Sequence, residues 1–302
     1  MAEKRTVLLT GGSGFVGQAL AKALAARGDR VTLTSRDPDR ARRAVPEAST
    51  VVARADAAAL RGVSAVVNLA GEPVAGRWSA SKKQAIEQSR VDGTRAIARA
   101  IGELPVTDRP RVLVSASAIG YYGDRGEEIL EETSAAGSDF LASVCLAWEG
   151  AANEARESGV RVVTPRIGVV MGDGGALAAM RPLFAMGFGG PLGNGKQWWA
   201  WIHLDDVVGL LLLALDREDL EGPLNATAPE PVRQVDHARA LGRAMHRPAF
   251  VPAPSFALRT VLGDFSVELL ASRRVVPSRA LSLGFAFRHP RVDEALADVF
   301  RK

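Results

Sequence analysis

The chain has 302 residues, 47% hydrophobic and 24% charged, with a formal net charge of +4. That is globular composition, with room for one large domain or one domain with an appendage, and it excludes a disordered chain. No Lys/Arg block carries interleaved aromatics, which argues against nucleic acid as a partner, and a single cysteine, Cys145, leaves no internal disulfide.

The first predicted element is a short apolar strand, Val7-Leu8-Leu9. It runs into Thr10-Gly11-Gly12-Ser13-Gly14-Phe15-Val16-Gly17. Phe15, Val16, Ala19, Leu20, Ala23 and Leu24 then share one face of a 3.6-residue helix, with Gly28 as its stop. The glycines therefore lie where a strand turns into a helix, as a dinucleotide-binding loop requires. Gly11 permits the tight turn, Gly14 lets backbone approach a pyrophosphate, and Gly17 lets the helix pack close to the strand. Unpaired N–H groups at the helix start favour phosphate. Gly11, Ser13, Gly14, Phe15, Val16 and Gly17 are the candidate contacts.

A second strand, Val31 to Thr34, ends in Ser35-Arg36. An acidic residue there would bind the ribose 2′-hydroxyl of NAD, whereas a basic one accommodates the 2′-phosphate of NADP. Ser35 and Arg36 point to NADP(H), with Asp37 turned away. A short polar helix over 39–48 and a strand at Val51-Val52 follow, and Asp56 either meets the adenine edge or caps a turn. The continuous apolar strand from Ala65 to Gly71 suits a buried parallel sheet, and Leu69, Ala70 and Gly71 are small or apolar enough for close ligand approach. A long helix from about Ser79 to Ile101 begins beside Arg77 and Trp78, which line a substrate mouth or anchor the helix start.

Arg111 to Ser117 is the fifth strand, and its serines lie at the carboxyl end, where open α/β sheets bind ligands. Ser115 is a candidate cofactor contact and Ser117 a catalytic one. Tyr121 and Tyr122, the only tyrosines, follow on the next loop as proton exchangers. A helix from about Phe140 to Glu157 and a strand Arg161 to Thr164 complete a doubly wound parallel sheet of the Rossmann type. Arg166 follows as a further cofactor contact. Residues 172–195 read as a long glycine-rich loop leading to Trp201 and His203, candidate substrate contacts, and Asp205-Asp206 as the cap of a helix over 207–215. Further helices are expected at 232–245, from Phe256 to about Leu270, and at 292–300. Expected regions are a cofactor-binding core (1–165), a substrate-side region interwoven with it (166–250) and a short C-terminal domain (251–302). The four histidines are scattered, so no metal site is expected. The early first strand and the short apolar runs lead to the expectation of a soluble cytoplasmic protein, monomer or homodimer.

These motifs fall in one order. The glycine loop, Asn68-Leu69-Ala70-Gly71, Ser117 with its tyrosines, Arg166 with Gly172, and Trp201-Ile202-His203 before Asp205-Asp206 together resemble the extended and atypical short-chain dehydrogenase/reductases. These are the NAD(P)-dependent sugar epimerase/dehydratase superfamily. The chain is most similar to the YfcH-like subgroup, whose short C-terminal domain of unknown function resembles residues 251–297. The resemblance implies a Rossmann fold, a nicotinamide cofactor and a small-molecule substrate such as a nucleotide sugar or another carbonyl or alcohol. It also implies a Ser/Thr followed by a Tyr-x-x-x-Lys pair. Aligned on Glu149, that pair falls on Leu141 and Cys145, and the usual Asn of the preceding helix falls on Arg90. Leucine transfers no proton and a thiol is no fixed ammonium. Proton exchange then falls to Tyr121 or Tyr122 with Arg90 or Arg166 as the supporting cation, or the chain is a non-catalytic NADP-binding sensor or scaffold.

Overall fold

Strands and helices alternate through the first half of the chain, and each strand side is set by residue parity. The structure is a computed structural model and describes residues 5–301. In order, the elements are β1 (Thr6–Thr10), α1 (Phe15–Ala26), β2 (Arg30–Thr34), α2 (Pro38–Ala44), β3 (Thr50–Val52), α3 (Ala57–Leu60), β4 (Ala65–Asn68) and α4 (Ala80–Gly102). There follow β5 (Val112–Ser115), β6 (Ser117–Ala118), β7 (Ile129–Leu130), α5 (Phe140–Asn153), β8 (Arg161–Ile167), β9 (Val169–Met171) and α6 (Gly175–Ala185). Then come β10 (Trp198–Trp199), β11 (Trp201–His203), α7 (Leu204–Asp216), β12 (Gly222–Ala226), β13 (Val232–Arg233) and α8 (Gln234–Ala244). The tail carries α9 (Ser255–Leu262), α10 (Ser266–Leu270), β14 (Arg274–Val275), α11 (Ser278–Ser282) and α12 (Val292–Phe300).

The main sheet runs β12-β8-β5-β4-β1-β2-β3, with β6 beside β8, and every pairing is parallel. Chain order reverses between β1 and β4, the switch point where doubly wound sheets open a ligand crevice. Val7 and Leu9 face one core with Leu20 and Leu24 of α1 and Leu210 and Leu211 of α7. Leu8 faces the other, with Ile97 and Ile101 of α4 and Ala152 of α5. Period-two alternation thus clothes both faces of the sheet with helices.

Several boundaries differ from the sequence reading for local reasons. The glycine-rich stretch 172–195 contains α6, an eleven-residue helix whose Leu177 and Phe184 are buried. Composition concealed it because its flanks are all turn. The expected helix from Phe256 to Leu270 is broken by a 3₁₀ turn at Gly263–Phe265, where Gly263 takes φ +58°. The helix at 204–216 is capped by His203, whose Nδ1 accepts from the Asp205 N–H at 3.2 Å, rather than by Asp205 or Asp206. Asp206 instead accepts from the Arg288 and His289 N–H groups at 2.7 and 3.0 Å, fastening the tail to α7.

Candidate cofactor and substrate site

The glycine turn between β1 and α1 is cut to backbone dimensions. A Cβ on Gly17 would lie 2.4 Å from the Gly11 carbonyl oxygen, and one on Gly11, at φ +67°, 2.6 Å from the Leu69 carbonyl. Gly14 is the N-cap of α1 and has no side chain to accept the first N–H groups, and no acidic residue lies in the first turn. Those donors and the helix dipole are left for an anion, so the turn fits the phosphates of a dinucleotide. Phe15 packs against the segment before α6. Cβ atoms on Gly172 and Gly174 would come within 2.5 and 2.6 Å of its ring, which explains the small residues before α6.

At the end of β2, Ser35 Oγ is engaged in a local turn with Asp37, 2.8 Å from its carbonyl oxygen and 3.1 Å from its N–H. The Asp37 carboxylate caps α2 by accepting from Arg40 N–H at 3.0 Å. Arg36 stands exposed between them. Asp56 resolves to the capping alternative, accepting from Ala59 N–H at 3.0 Å at the start of α3.

Ser115 does not reach the crevice. It is fully buried and accepts from Asn68 Nδ2 at 3.1 Å. The same amide donates to Thr94 Oγ1 at 2.7 Å, Thr10 Oγ1 donates to Asn68 Oδ1 at 2.6 Å, and Trp148 Nε1 donates to Thr94 at 2.8 Å. This buried chain ties β1, β4 and β5 to α4 and α5 beneath the switch point, and it rigidifies the floor of the crevice. Gly71 also accommodates a neighbouring side chain. Its Cβ would lie 3.0 Å from the Arg90 guanidinium carbon. Arg90 Nη1 donates to the Glu72 and Ile86 carbonyls at 2.9 and 3.2 Å, and the guanidinium lies 5.2 Å from the Trp148 ring centroid.

Arg166 is likewise turned into the interior. It is buried and forks onto Glu149, Nε to Oε1 at 2.8 Å and Nη2 to Oε2 at 2.9 Å. Its Nη1 donates to the Tyr122 hydroxyl at 3.0 Å and the Glu132 carbonyl at 3.1 Å. Burial works against this charge, but the Glu149 carboxylate outweighs it and holds the guanidinium above its ordinary range. Ser117 joins the cluster, donating to Glu149 Oε1 at 2.7 Å.

The adjacent tyrosines part ways on the 3₁₀ turn Ile119–Tyr122. Tyr122 is fully buried, and its hydroxyl lies 2.6 Å from Asn225 Oδ1 and 3.0 Å from the Glu131 carbonyl. Burial pushes its phenol up to about 12 despite Arg166. Tyr121 is half-buried and lies flat on Arg166, 3.4 Å from guanidinium carbon to ring centroid. Among the described residues its hydroxyl has no side-chain or backbone partner.

On α5, Leu141 packs within 3.3 Å of a Cβ built on Gly120, and Cys145 Sγ within 3.8 Å of it. Cys145 is buried, and burial pushes its thiol up to about 12. Such a thiol is inert. Native protein should react with a disulfide reagent such as DTNB only as fast as it unfolds; rapid labelling without denaturant would contradict this burial.

On the substrate side, Trp78 is half-buried, its Nε1 donating to the Val74 carbonyl at 2.7 Å, with Phe140 and Phe265 rings 5.3 and 5.8 Å away. Lys83 pairs with Asp264 at 2.6 Å, and Arg77 donates to the Thr260 carbonyl at 3.1 Å. The start of α4 and the loop before it are thereby joined to α9 and the turn that follows it. Trp201 lies elsewhere, fully buried, its Nε1 donating to the Glu230 carbonyl at 3.0 Å. His203 is buried too, 3.8 Å ring to ring from His289 and 3.6 Å from Asp298. Burial and His289 hold its imidazole below the ordinary range. His203, Asp205 and His289 bring three side chains able to ligate a metal within 4.8 Å of one another, which the distance of His289 along the chain concealed. The Nδ1 of His203 already accepts the capping N–H, however, which leaves Nε2 as the protonated nitrogen.

The all-parallel sheet and its strand order define a Rossmann-type α/β protein. The chain belongs to the NAD-dependent epimerase/dehydratase family, whose model matches residues 7–226, and residues 253–299 match a domain of unknown function, DUF1731. It is 42% identical to the chloroplastic epimerase family protein SDR39U1 homolog of Arabidopsis thaliana, covering 98% of this chain and 87% of that protein. It is 34% identical to the epimerase family protein YfhF of Bacillus subtilis, over 97% of each chain. Among solved structures, human epimerase family protein SDR39U1, crystallised with NADPH, superposes with a TM-score of 0.88 at 34% identity, covering 98% of this chain and 99% of that one. Among the described residues no helix is long and apolar enough to cross a membrane.

Proposed function

We propose that this chain is an NADP(H)-binding, atypical short-chain dehydrogenase/reductase. It acts as an oxidoreductase or a sugar-nucleotide epimerase-like enzyme on a small carbonyl or alcohol. The observation that carries the reading is the end of β2. Arg36 is exposed with no carboxylate in ion-pair contact among the described residues, while Asp37, its neighbour in the chain, is held by the start of α2. The NADPH in the human relative supports the same choice.

In this reading the first N–H groups of α1 bind the pyrophosphate and Arg36 binds the 2′-phosphate. A bound nicotinamide supplies or accepts hydride. Tyr121 exchanges a proton with the substrate oxygen, its ring held in place by the Arg166 guanidinium stacked on it. Ser117 orients that oxygen or holds Glu149, which in turn fixes Arg166. The substrate lies between the strand ends, Trp78 and the tail helices.

Titration with NADPH and NADH tests the cofactor. Arg36→Met is expected to weaken NADPH about 10- to 30-fold, as for loss of a charge-assisted hydrogen bond at an exposed site, and to leave NADH within about twofold. Equal binding of both cofactors by the unaltered protein overturns the NADP assignment. Leu141 and Cys145 at the places of the usual Tyr and Lys favour a second reading, an NADP-binding sensor without turnover. Tight NADPH binding with no oxidation of it across a carbonyl panel would select that one.

A further inference from the structure

Arg90 is a half-buried cation without a counter-ion. Among the described residues no carboxylate pairs with it, because the nearest, Glu72, is taken by Lys82 at 2.8 Å. Among the described residues only Nη1 is hydrogen-bonded, to two carbonyls, and Nε and Nη2 have no partner. Burial lowers its affinity for its proton, so the site is costly for a guanidinium as it stands. Its place is specific. The guanidinium lies against Gly71, and two residues earlier the chain backs the Gly11 turn, whose Cβ would strike Leu69 and Ala70. Gly71 follows β4, across the switch point from the strand that ends in Arg36. The absence of a side chain at Gly71 has therefore let a guanidinium with three unassigned N–H donors settle beside the phosphate turn.

Resting on the NADP(H) reading above, we propose that Arg90 is a second phosphate clamp, which neutralises the cofactor pyrophosphate from the β4 side while Arg36 holds the 2′-phosphate. The two arginines then act on different phosphates. Arg36 decides NADPH against NADH, and Arg90 binds both dinucleotides alike.

The test is calorimetric or fluorescence titration of the full chain and its R36M, R90M and R90K variants with NADPH, NADH and adenosine 2′-monophosphate, which lacks the pyrophosphate. R90M is expected to weaken NADPH and NADH together, each about tenfold, to spare adenosine 2′-monophosphate, and to flatten the salt dependence of NADPH binding. R90K should retain that salt dependence. R36M should weaken NADPH and adenosine 2′-monophosphate and abolish the preference over NADH. Unchanged dinucleotide affinities in R90M overturn the clamp. So does weakening of all three ligands in parallel with an unaltered salt slope, the signature of a merely structural arginine. Should R90M fail to fold by its melting curve, G71A, which displaces the guanidinium without removing it, must weaken both dinucleotides alike. An unaltered protein that binds none of the three ligands refutes the underlying cofactor reading instead.

Discussion

Arg166→Met is expected to lower stability by about 3–5 kcal/mol, the range for removing one partner of a buried ion pair. Arg166 and Glu149 are buried, joined by two parallel hydrogen bonds of 2.8 and 2.9 Å. Methionine fills much of the arginine stem volume but leaves the Glu149 carboxylate in the interior with only the Ser117 hydroxyl to solvate it. It also strips a donor from the Tyr122 hydroxyl and the Glu132 carbonyl. The double variant Glu149→Leu with Arg166→Met should recover much of the loss, since an apolar replacement of both partners removes the stranded charge. Urea unfolding of the four species closes the cycle. If the double variant loses the sum of the two single losses, the pair is not coupled and the cluster is held by other contacts.

How the chain wraps around this cluster explains what sequence could and could not show. The glycine turn was legible because its chemistry is local. Strand, turn and helix follow within one stretch, and the glycine spacings map directly onto backbone contacts such as Gly17 on Gly11. The start of α4 at Ser79 is local in the same sense, since the Ser79 side chain caps the helix by accepting from Lys82 N–H. The site beyond it was not legible in the same way. Ser117, Glu149 and Arg166 come from β6, α5 and β8, and only the sheet order brings them together. Strand-end position correctly marked Ser115 and Ser117 as unusual in an apolar run, but it could not tell a residue facing the crevice from one tied to Asn68. Tyr121 and Tyr122 are neighbours in sequence and opposites in space, because a 3₁₀ turn points successive side chains about a third of a turn apart. Arg90 could be seen as a departure from a familiar pattern; only the missing counter-ion gives that departure a physical content.

Tyr121→Phe is expected to lower kcat by about 10²–10⁴-fold on any carbonyl substrate found by following NADPH oxidation, the usual effect of losing a positioned proton donor. It should shift the melting temperature little, because the Tyr121 hydroxyl has no partner among the described residues and the ring stays on Arg166. Tyr122→Phe should behave in the opposite sense. Its hydroxyl sits among Asn225, Glu131 and Arg166, so its removal should cost about 1–3 kcal/mol of stability, as for buried groups left unsatisfied. Proton exchange by Tyr122 itself is disfavoured, since a phenol held near 12 with its oxygen enclosed has neither the acidity nor the access. The contrast between the variants carries the information. A large loss of turnover without loss of stability in Tyr121→Phe, set against the reverse in Tyr122→Phe, places the proton at the face of Arg166. Full turnover in both variants would remove the tyrosines from the chemistry and leave Ser117 as the remaining hydroxyl of the strand end, already committed to Glu149. A hydroxyl so committed orients a substrate poorly, and in that outcome the non-catalytic reading gains the weight that Tyr121 loses.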